Sequence, residues 1–268
     1  MSVAPLVFIT GASSGIGQAL AARFARAGWR LALVARRVDE VQRWAQALPL
    51  APDRYAVYAA DVQSITSIVE AGLACIARQG VPDVVIANAG ISVGMDSADR
   101  ADIDVMRDTL ATNVTGMAAT FHPFVAPMRE RGSGALVGVA SMAAIRGLPG
   151  HGAYCASKSA VVAYCESLRG ECRSSCVAVV TLLPGYIATP LTAKNPYPMP
   201  FLMTAEAFAE RAFTAIAARK SYKIIPWQMA VVAKLLRLLP NAVFDRLLSG
   251  RSRKPRRTRA PGGGAGPT

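Results

Sequence analysis

"LVFITGASSGIG", residues 6 to 17, begins as an apolar, β-branched run, breaks into glycine and serine, and resumes as a helical stretch to about Ala27. A buried strand that turns sharply into a helix explains each part. Glycines at 11, 15 and 17 permit a tight turn, and they let backbone N–H groups approach an anion at the positive end of the helix. In this reading Gly11, Ser13, Ser14, Gly15, Ile16 and Gly17 cradle a pyrophosphate. The spacing is Gly-x-x-x-Gly-x-Gly, so the flanking strand and helix carry the inference rather than the glycines alone. The same letters also match Gly-x-Ser-x-Gly, the nucleophile elbow of hydrolases, with Ser13 as nucleophile. That rival needs an acid and then a histidine downstream, and His122 and His151 both lie ahead of the last strands.

Outward from this turn the pattern repeats. Apolar runs at 6–10, 31–36, 55–61, 83–90, 134–141, 177–185 and 222–226 alternate with helical stretches. Such alternation specifies right-handed βαβ crossovers. The expected fold class is α/β: one Rossmann-like doubly wound domain over residues 1–226, with a mostly parallel seven-stranded sheet and helices on both faces. Four prolines between 186 and 205 mark a long irregular loop, of a length that in a compact domain is usually functional. Residues 227–250 form an amphipathic helical extension. Lys234, Arg237 and Pro240 interrupt its apolar character, so a membrane-spanning helix is not expected. It is left to cover the substrate cleft, join a dimer contact or lie on a bilayer, and peripheral membrane contact through 227–259 stays open.

The formal charge of +13 raises the question of nucleic acid, but six of the thirty basic residues sit in "RSRKPRRTRAPGGGAGPT", 251–268. Its Gly/Pro-rich composition reads as a disordered, solvated tail, and no specific nucleic-acid partner is expected. The start runs directly into a strand without a secretion-type leader, which gives a cytoplasmic expectation. Cys75, Cys155, Cys165, Cys172 and Cys176 have no metal-type spacing; they read as reduced, mostly buried thiols, and no metal is expected.

In open α/β sheets ligands bind outside the carboxyl ends of the strands. At the end of the second run, where an acidic residue would grip an NAD ribose, stand Arg36 and Arg37. A guanidinium pair suits a 2′-phosphate and so favours NADP(H), while Asp39 keeps NAD open. Asp61 and Val62 close the third run, and Asn88, Ala89 and Gly90 the fourth, on the same rim; Asp61 can also cap the helix that begins near Ser64. Further on, "HGAYCASKSA" (151–160) places Tyr154 and Lys158 four apart on one helix face. A nearby ammonium is expected to lower the tyrosine pKa and make it a usable acid or base. Ser141, at the end of the fifth run, can reach the same rim and hold a carbonyl or alcohol oxygen. Asn113, in the helix "VMRDTLATNVTGMAATF", reads equally as a kink or cap.

Together, "TGASSGIG", "NAG", Asn113, Ser141, "YCASK" and Pro184–Gly185 make the chain resemble the short-chain dehydrogenase/reductase family, in its classical type, over about residues 5–226. The resemblance implies an NADP-preferring oxidoreductase. Tyr154 would exchange a proton with the substrate oxygen and Ser141 would orient that oxygen. Lys158 would hold the nicotinamide ribose beside Tyr154, Asn113 would help maintain a water-linked proton path, and Pro184, Gly185, Ile187 and Thr189 would border the nicotinamide. Ser92, Val93, Met142, Ala143, Leu148, Tyr186 and residues 199–203 are expected to face the substrate. Their apolar character points to a hydrophobic ketone, aldehyde or secondary alcohol. By the same resemblance the helices in 103–130 and 151–170 assemble a homodimer or homotetramer. The alternative is a non-catalytic NAD(P)-binding regulatory or scaffold protein, against which the complete Ser141, Tyr154 and Lys158 set argues.

Overall fold

All seven apolar runs are strands of one sheet. In the computed structural model, which describes residues 3–48, 50–193, 195–250 and 252–256, they are β1 (Leu6–Thr10), β2 (Arg30–Ala35), β3 (Tyr55–Ala59), β4 (Val84–Ala87), β5 (Ala135–Val139), β6 (Ala178–Pro184) and β9 (Tyr222–Ile225). Two short strands, β7 (Ile187–Ala188) and β8 (Met203–Thr204), pair at either end of the long loop. The sheet order is β3-β2-β1-β4-β5-β6-β9, with every pairing parallel.

A strand with helices on both sides has no solvent face, which is why β1 reads as unbroken "LVFIT" and is buried throughout. Its residues alternate between two cores. Val7 and Ile9 pack with Leu20 and Phe24 of α1 (Gly15–Arg26) and with Phe208 and Ile216 of α7 (Ala205–Ala217); Val41 of α2 (Val38–Gln46) closes the same core. Leu6 and Phe8 face Ile68 of α3 (Ile65–Gln79), Phe121 and Phe124 of α5 (Gly116–Arg131), and Val161 and Leu168 of α6 (Gly152–Glu171). Phe8 packs against Phe124 with the rings tilted and their centroids 4.8 Å apart. Full burial of side chains of this size contributes about 1.5–3 kcal/mol each. A one-residue slip of β1 would exchange the two faces, so the register is held from both sides.

The stretch expected as one helix over 105–121 is divided. Helix α4 (Asp102–Leu110) passes through a π-helical turn at Ala111–Thr115 into α5. π-turns mark places where a helix carries an extra residue, often at functional sites, and this one holds Asn113. The extension is also divided: Pro240 separates α8 (Trp227–Leu238) from α9 (Asn241–Leu248) because it cannot continue the first helix. Arg146, just after β5, ties the pair to the domain. Its guanidinium donates to the carbonyls of Leu236 and Leu239 and to Asn241 Oδ1, and it stacks on Phe244. No helix among the described residues is long and apolar enough to cross a membrane.

The tail expectation needs a correction for residues 252–256; residues 257–268 lie outside the described residues. Gly94 N–H donates to Pro255 O at 3.0 Å, Arg253 lies against Gly150, and Lys254 Nζ donates to Leu191 O at 3.3 Å. Arg256 pairs with Asp99 and, at 2.7 Å, with the buried carboxylate of Asp102. Composition reads as a solvated tail; partners far back along the chain, such as Asp99 for Arg256 and Leu191 for Lys254, supply the contacts that order it.

Candidate active site

The chain crosses from one face of the sheet to the other between β1 and β4, leaving a crevice at their carboxyl ends where a doubly wound sheet binds ligands. The crevice encloses about 480 Å³. One wall is the turn after β1. Ser14 is the N-cap of α1 without a side-chain cap hydrogen bond, so the first N–H groups of the helix keep their capacity for an anion. Gly11 and Gly15 adopt φ of +70° and +56°, and a Cβ on Gly17 would lie 2.2 Å from Gly11 O. Glycine is required there by contact distance as well as by conformation. Asn88 fastens this turn to β4: its Nδ2 donates to Thr10 O at 3.0 Å, and its N–H donates to Thr10 Oγ1 at 3.1 Å.

Arg36 and Arg37 stand at the end of β2 on the crevice edge, both largely exposed. Arg37 reaches Ser13 Oγ at 3.4 Å and Glu40 at 3.2 Å, and Arg36 lies 3.9 Å from Asp61. Asp61 accepts from Gln63 N–H and caps the turn after β3, whereas Ser64 is the N-cap of α3; the expected capping of that helix by Asp61 is thereby corrected. An open helix end, a glycine cradle and two cations at fixed separation along the rim fit an anionic dinucleotide.

At the far end stand Ser141, Tyr154 and Lys158. Ser141 Oγ accepts from Ala143 N–H at 3.1 Å, which fixes the residue at the start of a short 3₁₀ turn, and both Ser141 and Tyr154 line the crevice. Lys158 is buried; its Nζ donates to Val139 O at 2.8 Å and lies 5.8 Å from the centre of the Tyr154 ring. Desolvation brings the Lys158 ammonium down to about 8. Burial raises the Tyr154 phenol, with the Ser141 hydrogen bond opposing it. The expected lowering by Lys158 is therefore not what this arrangement produces. Four-residue spacing puts the amine beneath the ring, where a backbone carbonyl takes its hydrogen bond, and a buried phenol away from a cation keeps its proton.

Of the residues expected at the cofactor, all but Gly17 line the crevice, Pro184, Gly185, Ile187 and Thr189 included. Gly17 acts one layer back by admitting Gly11. Asn113 does not line it. Its carboxamide accepts from Ile91 N–H at 2.8 Å and donates to Ile91 O and Ser157 Oγ, stapling the loop after β4 to α6. Its side chain is a positioning group, and the kink reading is the one its place in the π-turn favours. None of the residues expected to face the substrate lines the dinucleotide crevice. Val93 packs with Met95, Val105 and Ala153, Met203 joins the main core, and Leu148 lines a separate shallow pocket against Phe244. An aromatic group missed in the sequence is Tyr197, which shares a hydrogen bond with His151 Nε2 at 3.1 Å and sits 6.4 Å from the Tyr186 ring. Burial first, then Tyr186 and Tyr154, push the Tyr197 phenol up to about 12. Nothing in the periodicity of a proline-rich loop signals such a contact. The hydrolase rival finds no support, because Ser13 faces Arg37, His122 is exposed on α5 and His151 is held by Pro149 and Tyr197.

The chain matches the family model described as short chain dehydrogenase over residues 5–198. An uncharacterized oxidoreductase of Myxococcus xanthus is 39% identical over 237 residues, covering 88% of this chain and 93% of the relative. The sulfoacetaldehyde reductase of Chromohalobacter salexigens is 35% identical, covering 69% and 74% respectively. Among solved structures, 3-ketoacyl-(acyl-carrier-protein) reductase from Brucella melitensis, complexed with NADH, superposes with a TM-score of 0.74 at 26% identity, covering 82% of this chain and 96% of that one. A short-chain dehydrogenase from Streptomyces avermitilis reaches 0.77 at 23% identity, covering 91% and 96%, a likeness of fold.

Proposed function

The chain belongs to the short-chain dehydrogenase family and with it to the NAD(P)-dependent oxidoreductases, and from that premise we propose that it reduces the carbonyl group of an apolar small molecule with NADPH. The observation that carries this reading is that Ser141, Tyr154 and Lys158 stand together on the wall of the dinucleotide crevice. The bound nicotinamide supplies the hydride. The pyrophosphate would lie against the open end of α1, and the 2′-phosphate between Arg36 and Arg37. Lys158 would hold the ribose with Tyr154 beside it.

At the substrate, Ser141 donates to the carbonyl oxygen and fixes its direction. Tyr154 gives the proton as the oxygen becomes an alkoxide. A phenol is protonated near neutrality, the state required of a proton donor. An apolar substrate is supported by Tyr197, which lies close enough to Tyr154 to feel its charge, and by the apolar side chains of Ile91 and Leu191 on the crevice wall. A homodimer or homotetramer joined through α4, α5 and α6 accompanies this reading by family resemblance.

The test is Tyr154→Phe, followed by NADPH oxidation over a panel of aldehydes and ketones and by the thermal shift with NADPH. Loss of a positioned proton donor lowers kcat by about 10²–10⁴, with the shift retained. Full activity in the variant would reject Tyr154 as the donor and favour the non-catalytic binding alternative.

A further inference from the structure

Helix α8 presents an unpartnered apolar stripe. Trp227, Val231, Leu235 and Leu238 are 65%, 48%, 59% and 80% exposed. At 100° per residue these four fall within about 80° of one another on the helix. Met229 and Ala233, on the opposite side, are buried against the domain. The stripe continues onto α9 through Val243 and Leu247, also about half exposed. Fourteen large apolar side chains are exposed among the described residues, and six of them are gathered on these two short helices.

The charge around the stripe is mainly basic. Helix α8 carries Lys234 and Arg237 and no acidic residue, and α9 carries Arg246 and Asp245. Six further basic residues and no acidic one follow between 251 and 259. Lys234 and Arg237 flank the apolar stripe, the arrangement of a helix lying in the plane of a lipid–water interface. The pair of helices is also rigidly mounted, because the Arg146 guanidinium holds three acceptors across their junction and stacks on Phe244. The apolar face is thus what remains after α8 and α9 have docked.

We propose that the α8–α9 face is a docking surface for an anionic lipid bilayer, with Trp227, Val231, Leu235 and Leu238 entering the headgroup boundary and the flanking lysine and arginines pairing with lipid phosphates and carboxylates. Basic residues held near an anionic leaflet contribute about 1 kcal/mol each, and Lys234, Arg237 and Arg246 supply three on the two helices. A neutral bilayer or an apolar protein face has no use for them.

The full-length protein is mixed with extruded vesicles of phosphatidylcholine, alone or with about one part in three phosphatidylserine. Sedimentation reads binding. Trp227 reads insertion through a blue shift of its emission, since Trp29 and Trp44 already pack against the core. The expected result is at least about tenfold stronger partitioning to the anionic vesicles, with a blue shift that Trp227→Phe removes. Leu235→Glu with Leu238→Glu abolishes binding, and Lys234→Glu with Arg237→Glu removes the preference for anionic lipid. All these side chains are exposed, and an unchanged melting temperature confirms that the variants fold. Equal partitioning to both vesicles, or none to either, overturns the proposal. So does a fall in solution mass on Leu235→Glu with Leu238→Glu, which would make the face a contact between copies.

Discussion

The proposed preference for NADP rests on Arg36 and Arg37, so their removal gives the most direct test of how the crevice selects its ligand. Each guanidinium is mostly exposed, 71% for Arg36 and 60% for Arg37, and each faces a carboxylate, Asp61 and Glu40. A hydrogen bond to a charged group is worth about 1.5–3 kcal/mol, and solvent screening at this exposure sets the low end. Arg36→Ala with Arg37→Ala should then weaken NADP binding by at least about tenfold, 1.4 kcal/mol. It also leaves Asp61 and Glu40 to repel a phosphate dianion. At a ligand concentration of about one hundred times Kd the wild-type protein gains about 2.7 kcal/mol, and a tenfold loss of affinity halves this to about 1.4. For a chain of this length each kcal/mol moves Tm by about 2–4 °C, so the NADP-induced shift should shrink by about 3–5 °C. The NAD-induced shift should hold, because NAD carries no 2′-phosphate. Scanning fluorimetry of wild type and variant with each cofactor decides the matter. An equal loss for both cofactors, or a wild-type protein that NAD stabilises as strongly as NADP, refutes the assignment of this rim to the 2′-phosphate.

Two further outcomes follow from contact and charge. Gly17→Ala places a methyl 2.2 Å from Gly11 O and 2.6 Å from Asn88 Nδ2, whereas Gly170→Ala meets nothing within 4 Å. Both lie in helices, so urea unfolding should show Gly17→Ala losing about 1–3 kcal/mol and its cofactor-induced shift, and Gly170→Ala gaining about 0.5–1 kcal/mol; the same sign for both would remove the steric argument. Lys158 has a folded pKa of about 8 against an ordinary 10.5, so above pH 8 the unfolded chain holds more protons and stability rises with pH. Cys75 and Cys165, buried and raised to about 12 and 11, act with the opposite sign above their ordinary 9. Between pH 8 and 9 the wild type should therefore gain on the order of 1 kcal/mol over Lys158→Met, and a constant difference across that window contradicts the burial of the amine.

The sequence by itself determined the elements and the chemistry-bearing residues. Unbroken apolar runs fix buried parallel strands because neither face of such a strand meets water, and glycine at 11 and 15 fixes the turn because φ is positive there. Ser141, Tyr154 and Lys158 were legible because strand-end position and helical spacing are local properties. Tertiary structure alone decided what those residues touch. It gave the Lys158 amine to the Val139 carbonyl and so left the Tyr154 phenol raised, and it turned the Asn113 side chain from the crevice into a staple between Ile91 and Ser157. It also joined Arg256 to Asp102 and His151 to Tyr197. Periodicity reports burial along one element, whereas a hydrogen bond or a desolvated charge depends on atoms that chain distance separates and only packing brings within reach.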